Sequence, residues 1–269
     1  MKITIFLLLV LPACRAANLS VAAEQAWQIY TAQVEERIAR QHTQRDTYLA
    51  ALHGDPAERA GIASQLSSGV VSVVSLNGPD ALPGALLHHW RATAFVPQAT
   101  PEEMLHLLRD YDHLSQYYAP VVTASHLIAK DGPAALVAMR MNEKKIITVV
   151  LDCEFRIENG LAGFDRGYEF SRSTHIRQVD YPGTAREHLR PERDGDGLLW
   201  RLNSYWSFIE WRNGLVIECE SISLTRDIPA GLNWLVAPLV RDLPRESLEF
   251  TIRATAKALQ AQNTEGAKR

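Results

Sequence analysis

Two long alternating segments, Leu198–Trp211 and Leu215–Arg226, dominate what this chain can fold into. Asn213-Gly214 sits between them, a strong signal for a tight hairpin. The second segment runs through Asp227-Ile228-Pro229-Ala230-Gly231 into a helical stretch that reaches almost to the end. Pro244 is placed near that helix's main start, and Leu248, Ile252, Thr255 and Leu259 form one stripe along it. A hairpin that feeds a long closing helix implies a curved antiparallel sheet wrapped around that helix, with space between the two.

Upstream, the pattern is that of an α+β domain. Val70–Val74 is a short strand, and the turns at Asn77-Gly78-Pro79 and Pro83-Gly84 separate it from a strand over Leu86–Val96. Thr100, Pro101 and Glu103 spell a helix start with a capping box, and Met104, Leu107, Leu108 and Tyr111 form its buried stripe. A second short helix near Asp112–Tyr118 stops before Pro120. Strands follow at Val121–Lys130, Ala134–Asn142, Lys145–Ile157 and Arg166–Val179, broken at Asp131-Gly132-Pro133, Asn142-Glu143-Lys144 and Asn159-Gly160. A loop over Pro191–Gly197 leads into the final hairpin. An antiparallel meander of about seven strands with one closing helix is α+β rather than doubly wound.

The first residues carry an address. Met1-Lys2, the apolar run Ile3–Leu11 and the small residues around Cys14-Arg15-Ala16-Ala17 describe a secretory signal over 1–16. The run is too short for a membrane-spanning anchor. Two processing sites compete: ordinary cleavage before Ala17, and a lipobox-like Leu11-Pro12-Ala13-Cys14 that would lipidate Cys14 and attach the chain to a membrane. Either way the expectation is an exported protein of the periplasm or cell envelope. Residues 17–68 read as a helical extension, with Trp27, Tyr30, Val34 and Ile38 recurring at helical spacing and facing the domain. The main domain spans 69–262, and 263–269 is a polar tail.

Charge and cysteine usage remove several classes of function. Lys+Arg 28 against Asp+Glu 31 gives a net charge of −3 without a basic block, so a nucleic-acid partner is not expected. Cleavage before Ala17 would leave Cys153 and Cys219, each inside a strand, and they are expected as two buried thiols. His88 and His89 are adjacent on a strand and therefore point to opposite faces, and the scattered His106, His113, His126, His175 and His188 show no ligand spacing. No Gly-x-Ser-x-Gly elbow or Gly-rich phosphate loop is present. No metal or cofactor is expected.

Local stretches resemble a known superfamily. They are Leu87-His88-His89-Trp90, Tyr117-Tyr118-Ala119-Pro120, Arg201–Trp206, Ser223–Pro229 and Pro244–Leu248, within an element order of strand, two short helices, six strands and a long helix. Over Leu86–Leu259 the chain resembles the START-like, or SRPBCC, superfamily of helix-grip domains, which includes the Bet v 1 allergens, polyketide cyclases and lipid-transfer domains. It is most similar in these stretches to exported bacterial members. The resemblance implies an apolar cavity between sheet and C-terminal helix and supplies no catalytic residue.

Strand parity nominates a lining for such a cavity. Ile147, Val149, Leu151, Cys153 and Phe155 share one face of their strand, and Trp200, Leu202, Trp206 and Phe208 share one face of theirs. Tyr205, Ile209 and Trp211 take the other face, so that strand is expected to be covered on both sides. The candidate ligand-binding residues are Ile147, Val149, Leu151, Phe155, Trp206, Phe208, Trp234, Leu235 and Leu239. Pro238 is expected to kink the segment Leu232–Val240 at the mouth. Candidate polar cavity residues are Arg140, Tyr205, Glu218 and Arg226. The pairs Asp152/Glu154 and Glu218/Glu220 lie either on a solvated outer face or at a cavity floor. Three functions follow. The first is binding or transfer of a lipid or other apolar small molecule, which needs no catalytic group. The second is a polyketide cyclase- or hydrolase-like enzyme in the same cavity. The third is a structural or interaction protein whose core is filled, with Trp206 against Trp234.

Overall fold

A computed structural model describes residues 19–76, 78, 82, 84–144, 148–190, 197–227 and 233–266 of the chain, without the side chains at 143–144, 233–241 and 264–266. Residues 1–18, which include Cys14 and the segment read above as a secretory signal, Ile147 and most of the 191–197 loop lie outside the described residues. So do the side chains of Trp234, Leu235, Pro238 and Leu239.

Hairpin follows hairpin to make one antiparallel sheet. Its strands are β1 (Ser72–Ser75), β2 (Ala85–Pro97), β3 (Val122–Asp131), β4 (Ala134–Lys144), β5 (Thr148–Leu161), β6 (Arg166–Asp180), β7 (His188–Leu189), β8 (Leu199–Glu210) and β9 (Gly214–Arg226). The order across the sheet is β1-β2-β9-β8-β6-β5-β4-β3, with β7 paired to β6. Only the step from β2 to β9 joins strands distant in sequence, and it lets the first long strand close against the last. Helices α3 (Pro101–Arg109) and α4 (Leu114–Tyr118) fill the link between β2 and β3, and α5 (Asn233–Gly266) crosses the concave face. The capping box at the start of α3 is present: Thr100 accepts from the Glu103 N–H, and Glu103 accepts from the Thr100 N–H. This is the helix-grip arrangement, α+β in class.

The concave face holds the main core. Ala92, Ala94 and Val96 of β2, Trp206 and Phe208 of β8, and Leu215, Ile217 and Cys219 of β9 pack against Leu248, Ile252 and Leu259 of α5. Burying such side chains contributes roughly 1.5–3 kcal/mol each. Cys153 on β5 and Cys219 on β9 are buried free thiols with β6 and β8 between them.

The convex face is covered as well. Helix α1 (Val21–His42), two single 3-10 turns at Arg45–Thr47 and Ala50–Leu52, and α2 (Pro56–Ser67) lie across it. Trp27, Val34 and Ile38 of α1 meet Trp200, Tyr205, Ile222 and Leu224, while Tyr48, Leu49 and Leu66 meet Ile209 and Val216. Ion pairs fasten the cover: Arg172 grips Glu35 at 2.7 and 3.0 Å, and Arg201 reaches Glu24 at 2.8 Å.

Five sequence expectations need correction. Trp200 does not share a face with Leu202 and Trp206, because β8 slips its register between Leu199 and Arg201 and turns the indole outward. Asn159-Gly160 does not end β5, which continues to Leu161, since Asn159 and Gly160 stay in register with Glu169 and Tyr168 of β6. Residues 142–144 do not form a break, because β4 stays paired with β5 through Lys144. Pro244 does not mark the main start of α5, and Pro238 does not interrupt it. The helix starts at Asn233 and runs through both prolines, each costing one backbone hydrogen bond that the length of the packed helix outweighs.

Candidate functional site: the cavity between sheet and helix

A cavity of about 310 Å³ lies between the concave face and α5. Its walls are unequal. One side is aliphatic and aromatic: Met139 and Met141 of β4, with Val149, Leu151, Phe155 and Ile157 of β5. Leu108, Leu114 and Tyr118 close the inner end, where Trp206, Cys219 and Glu169 also lie. The outer end is formed by Leu198, Leu199, Arg226 and the α5 residues Leu243 and Pro244. Leu198 is exposed there, whereas Glu169, Trp206 and Cys219 are buried, so this end faces solvent.

Glu169 is the acidic side chain in this lining, and it is 5% exposed. It sits on β6 directly opposite Asn159 of β5. The Asn159 amide donates to it at 2.9 Å and to the Tyr111 hydroxyl at 3.0 Å. Arg109 donates to the Asn159 carbonyl oxygen at 2.9 Å, which fixes which way that amide points. Burial pushes the Glu169 carboxyl up to about 7, and the Asn159 hydrogen bond and the Arg109 charge offset only part of that rise. The result is a carboxyl group that changes charge near neutral pH inside an apolar cavity. Nearby, the Tyr118 hydroxyl is 2.9 Å from Thr255 of α5, and burial raises its pKa well above the ordinary phenol range. Burial likewise keeps Cys219 protonated and poorly reactive.

Most of the nominated residues with described side chains lie here. Val149, Leu151, Phe155, Trp206 and Arg226 line the cavity. Phe208 instead sits at the base of the core. Its ring occupies the space left by Gly167 opposite, where a Cβ would fall 2.5 Å from ring carbons. The other three polar candidates are outside the cavity. Arg140 makes a two-pronged bond to Asp152 at 2.7 and 2.8 Å and a third to Glu187, all on the outer face. Tyr205 donates to Glu35 of α1 at 2.9 Å.

Glu218 accepts the backbone N–H groups of Ala50 and Ala51 at 2.9 and 2.8 Å, and burial raises its pKa. Glu218 and Glu220 are therefore on the outer face, yet they are not solvated: both are 3% exposed beneath the N-terminal helices. The alternation rule put the two on one face of β9 without saying which face of the sheet that was. It carried no information about what lies on top.

Glu169 escaped the sequence reading. Its signal was the run Gly167-x-Glu169-x-Ser171, three small or polar residues of one parity whose other parity holds Tyr168 and Phe170. That run reads as an outward polar face until β8 on one side and β5 on the other show otherwise.

Among the described residues no three His, Cys, Asp or Glu side chains converge where a metal ion would bind. No described helix is long and apolar enough to cross a membrane.

No family model matches the chain, and no curated protein matches it. Solved structures do. A STAR-related lipid transfer protein fragment from Xanthomonas axonopodis is 18% identical, the match spanning 70% of this chain and 98% of the other with a TM-score of 0.44. Human STARD10 is 12% identical over 81% of this chain and 86% of its own, with a TM-score of 0.43. The Zhui aromatase/cyclase from Streptomyces sp. R1128 is 9% identical over 66% and 93%, with a TM-score of 0.43. These likenesses are faint, and the site rests on its own geometry.

Proposed function

We propose that this chain binds a lipid or other apolar small molecule in the cavity between its sheet and α5, and carries it within the bacterial cell envelope. The observation that carries this reading is the cavity itself: about 310 Å³, walled mainly by carbon, between elements that would otherwise close on each other. Small-molecule sites have this size and this apolar character. A protein that only needed a stable core would gain by filling the space, since voids forfeit both burial and dispersion contacts. A carrier needs nothing further from the site. The envelope assignment rests on the pattern of residues 1–17.

A second reading is favoured by one residue. Glu169, titrating near 7 inside the cavity, has the pKa that a general acid or base needs at neutral pH. Under that reading the same cargo would be a substrate and Glu169 the proton donor or acceptor. Turnover of a bound molecule, lost in Glu169→Gln with binding retained, would select it.

The binding reading is tested by titrating the chain with N-phenyl-1-naphthylamine, whose fluorescence rises on leaving water. Saturable enhancement is expected. Ser204→Trp places an indole in the middle of the cavity floor and should weaken the affinity by about 100-fold, with the circular dichroism spectrum unchanged. Equal enhancement by the two proteins would locate the dye elsewhere and remove the support for a cavity ligand.

A further inference from the structure

One wall of the cavity is not apolar. Ser171 of β6 is paired with Ser204 of β8, and Ser204 is paired with Ser221 of β9. All three line the cavity, so three hydroxyl groups form a row across three adjacent strands. Neighbouring strands are about 4.8 Å apart, which sets the spacing of the row. Ser223 and Thr225 extend the polar surface along β9 toward the open end, and Glu169 flanks the row one pleat further in. The facing wall is Met139, Met141, Val149, Leu151 and Phe155.

Of these hydroxyls, the protein's described residues engage that of Thr225, which is 3.2 Å from His88 Nε2, and leave the serines open. Thr225 bonds to the Leu86 carbonyl oxygen at 3.4 Å. Ser171, Ser204, Ser221 and Ser223 make no side-chain hydrogen bond among the described residues, although Ser171 is 5% exposed and Ser223 is 6% exposed. Buried polar side chains are ordinarily satisfied, and those that are not call for a partner the protein does not supply. Alanine at these positions would leave the walls uniformly apolar, which a hydrocarbon chain would prefer. A row of open hydroxyls opposite an aliphatic wall is matched by a molecule with two unlike faces.

We infer that the serine row Ser171–Ser204–Ser221 is a recognition subsite, and that the ligand is facially amphipathic, an apolar body carrying two or more neutral oxygen functions along one face. The inference rests on the cavity being a binding site, and it names the class of molecule bound. Its oxygen-bearing face lies on β6, β8 and β9, and its apolar face lies on β4 and β5. A saturated acyl chain leaves the serines unpaired and is a poorer fit.

Bile acids serve as probes because they share one ring system and one carboxylate and differ in the hydroxyl groups on one face. Lithocholate has one and cholate three. Lithocholate is the more hydrophobic, so a plain apolar cavity binds it more tightly. The row predicts the reverse order, with cholate bound about tenfold more tightly by the unmodified chain in isothermal titration. In the variant combining Ser171→Ala, Ser204→Ala and Ser221→Ala, the order returns to lithocholate first, while N-phenyl-1-naphthylamine binds at least as tightly as before, its cavity now being more apolar. Tighter binding of lithocholate by the unmodified chain overturns the inference. So does a cholate preference that survives in the triple variant, and so does binding of the naphthylamine but of neither bile acid. In each of these cases the cavity still binds an apolar molecule. Failure of all three probes to bind overturns the cavity reading as well.

Discussion

Glu220→Ala is expected to lower the unfolding free energy by about 3–5 kcal/mol. The carboxylate lies under α1 on the convex face, 3% exposed. Arg37 of α1 bonds to both of its oxygens, His89 Nε2 is 3.0 Å away, and Arg91 lies 3.7 Å away. The Tyr30 hydroxyl, 2.8 Å from His89 Nδ1, completes the set. The imidazole tautomer that satisfies both neighbours donates from Nε2 to Glu220 and accepts from Tyr30 at Nδ1. Burial alone would raise the Glu220 pKa. The hydrogen bond from His89 and the Arg37 guanidinium outweigh burial and hold it down at about 2.

Removal of this carboxylate leaves the buried His89 imidazole without its acceptor and takes the counter-charge from Arg91 and from the part-exposed Arg37, and the unmet buried donor is what makes the loss large. Urea unfolding with the transition read by tryptophan fluorescence measures it. A change under about 1 kcal/mol would mean that the pairing under α1 is no more than a surface ion pair.

Glu169 should make the fold less stable as pH rises. Its carboxyl titrates at about 7 in the folded chain against an ordinary value of 4.5. A raised value means the folded state holds its proton where the unfolded state has released it, so the unfolding free energy falls with pH across that interval. The contribution is intact below 4.5, declines between 4.5 and about 7, and is absent above, a loss of about 3 kcal/mol in all. Glu220 acts with the opposite sign in acid, its support being lost as pH falls from 4.5 toward 2.

The two are separated by comparing the unmodified chain with Glu169→Gln at pH 5 and pH 8. Glutamine keeps the shape and still accepts from Asn159. The variant should gain about 2.5 kcal/mol relative to the unmodified chain between those two conditions. A difference that does not change with pH would mean that Glu169 is hydrated and that the inner end of the cavity is not closed.

The order of elements was readable because its signals are local. Thr100-Pro101-x-Glu103 caps α3 wherever it occurs, and Asn213-Gly214 turns between two alternating strands whatever surrounds them. Strand parity also placed Val149, Leu151 and Phe155 together on one wall and turned Trp206 into the cavity, because a period of two survives in any regular strand. Parity failed at Trp200, where a register slip in β8 left no mark in the residue types. It was mute on burial. Glu218 and Glu220 read as either a solvated outer pair or a cavity floor, because nothing in β9 records that Arg37, Ala50 and Ala51 are set down on them by a segment more than a hundred residues earlier in the chain. Glu169 was hidden for the same reason. Its environment is made by Asn159, and by Arg109 and Tyr111, from two other places in the sequence. Local rules recover elements and faces, while a site assembled by long-range contacts becomes visible only in three dimensions.

The central claim is that the cavity holds an apolar cargo, and native mass spectrometry tests it most directly. The full chain would be expressed in a bacterium, recovered without detergent from the fraction that holds it, and weighed intact before and after organic extraction. The account predicts a stoichiometric adduct that is soluble in organic solvent and missing from Ser204→Trp. A bare mass, with no uptake from a total lipid extract, would contradict it.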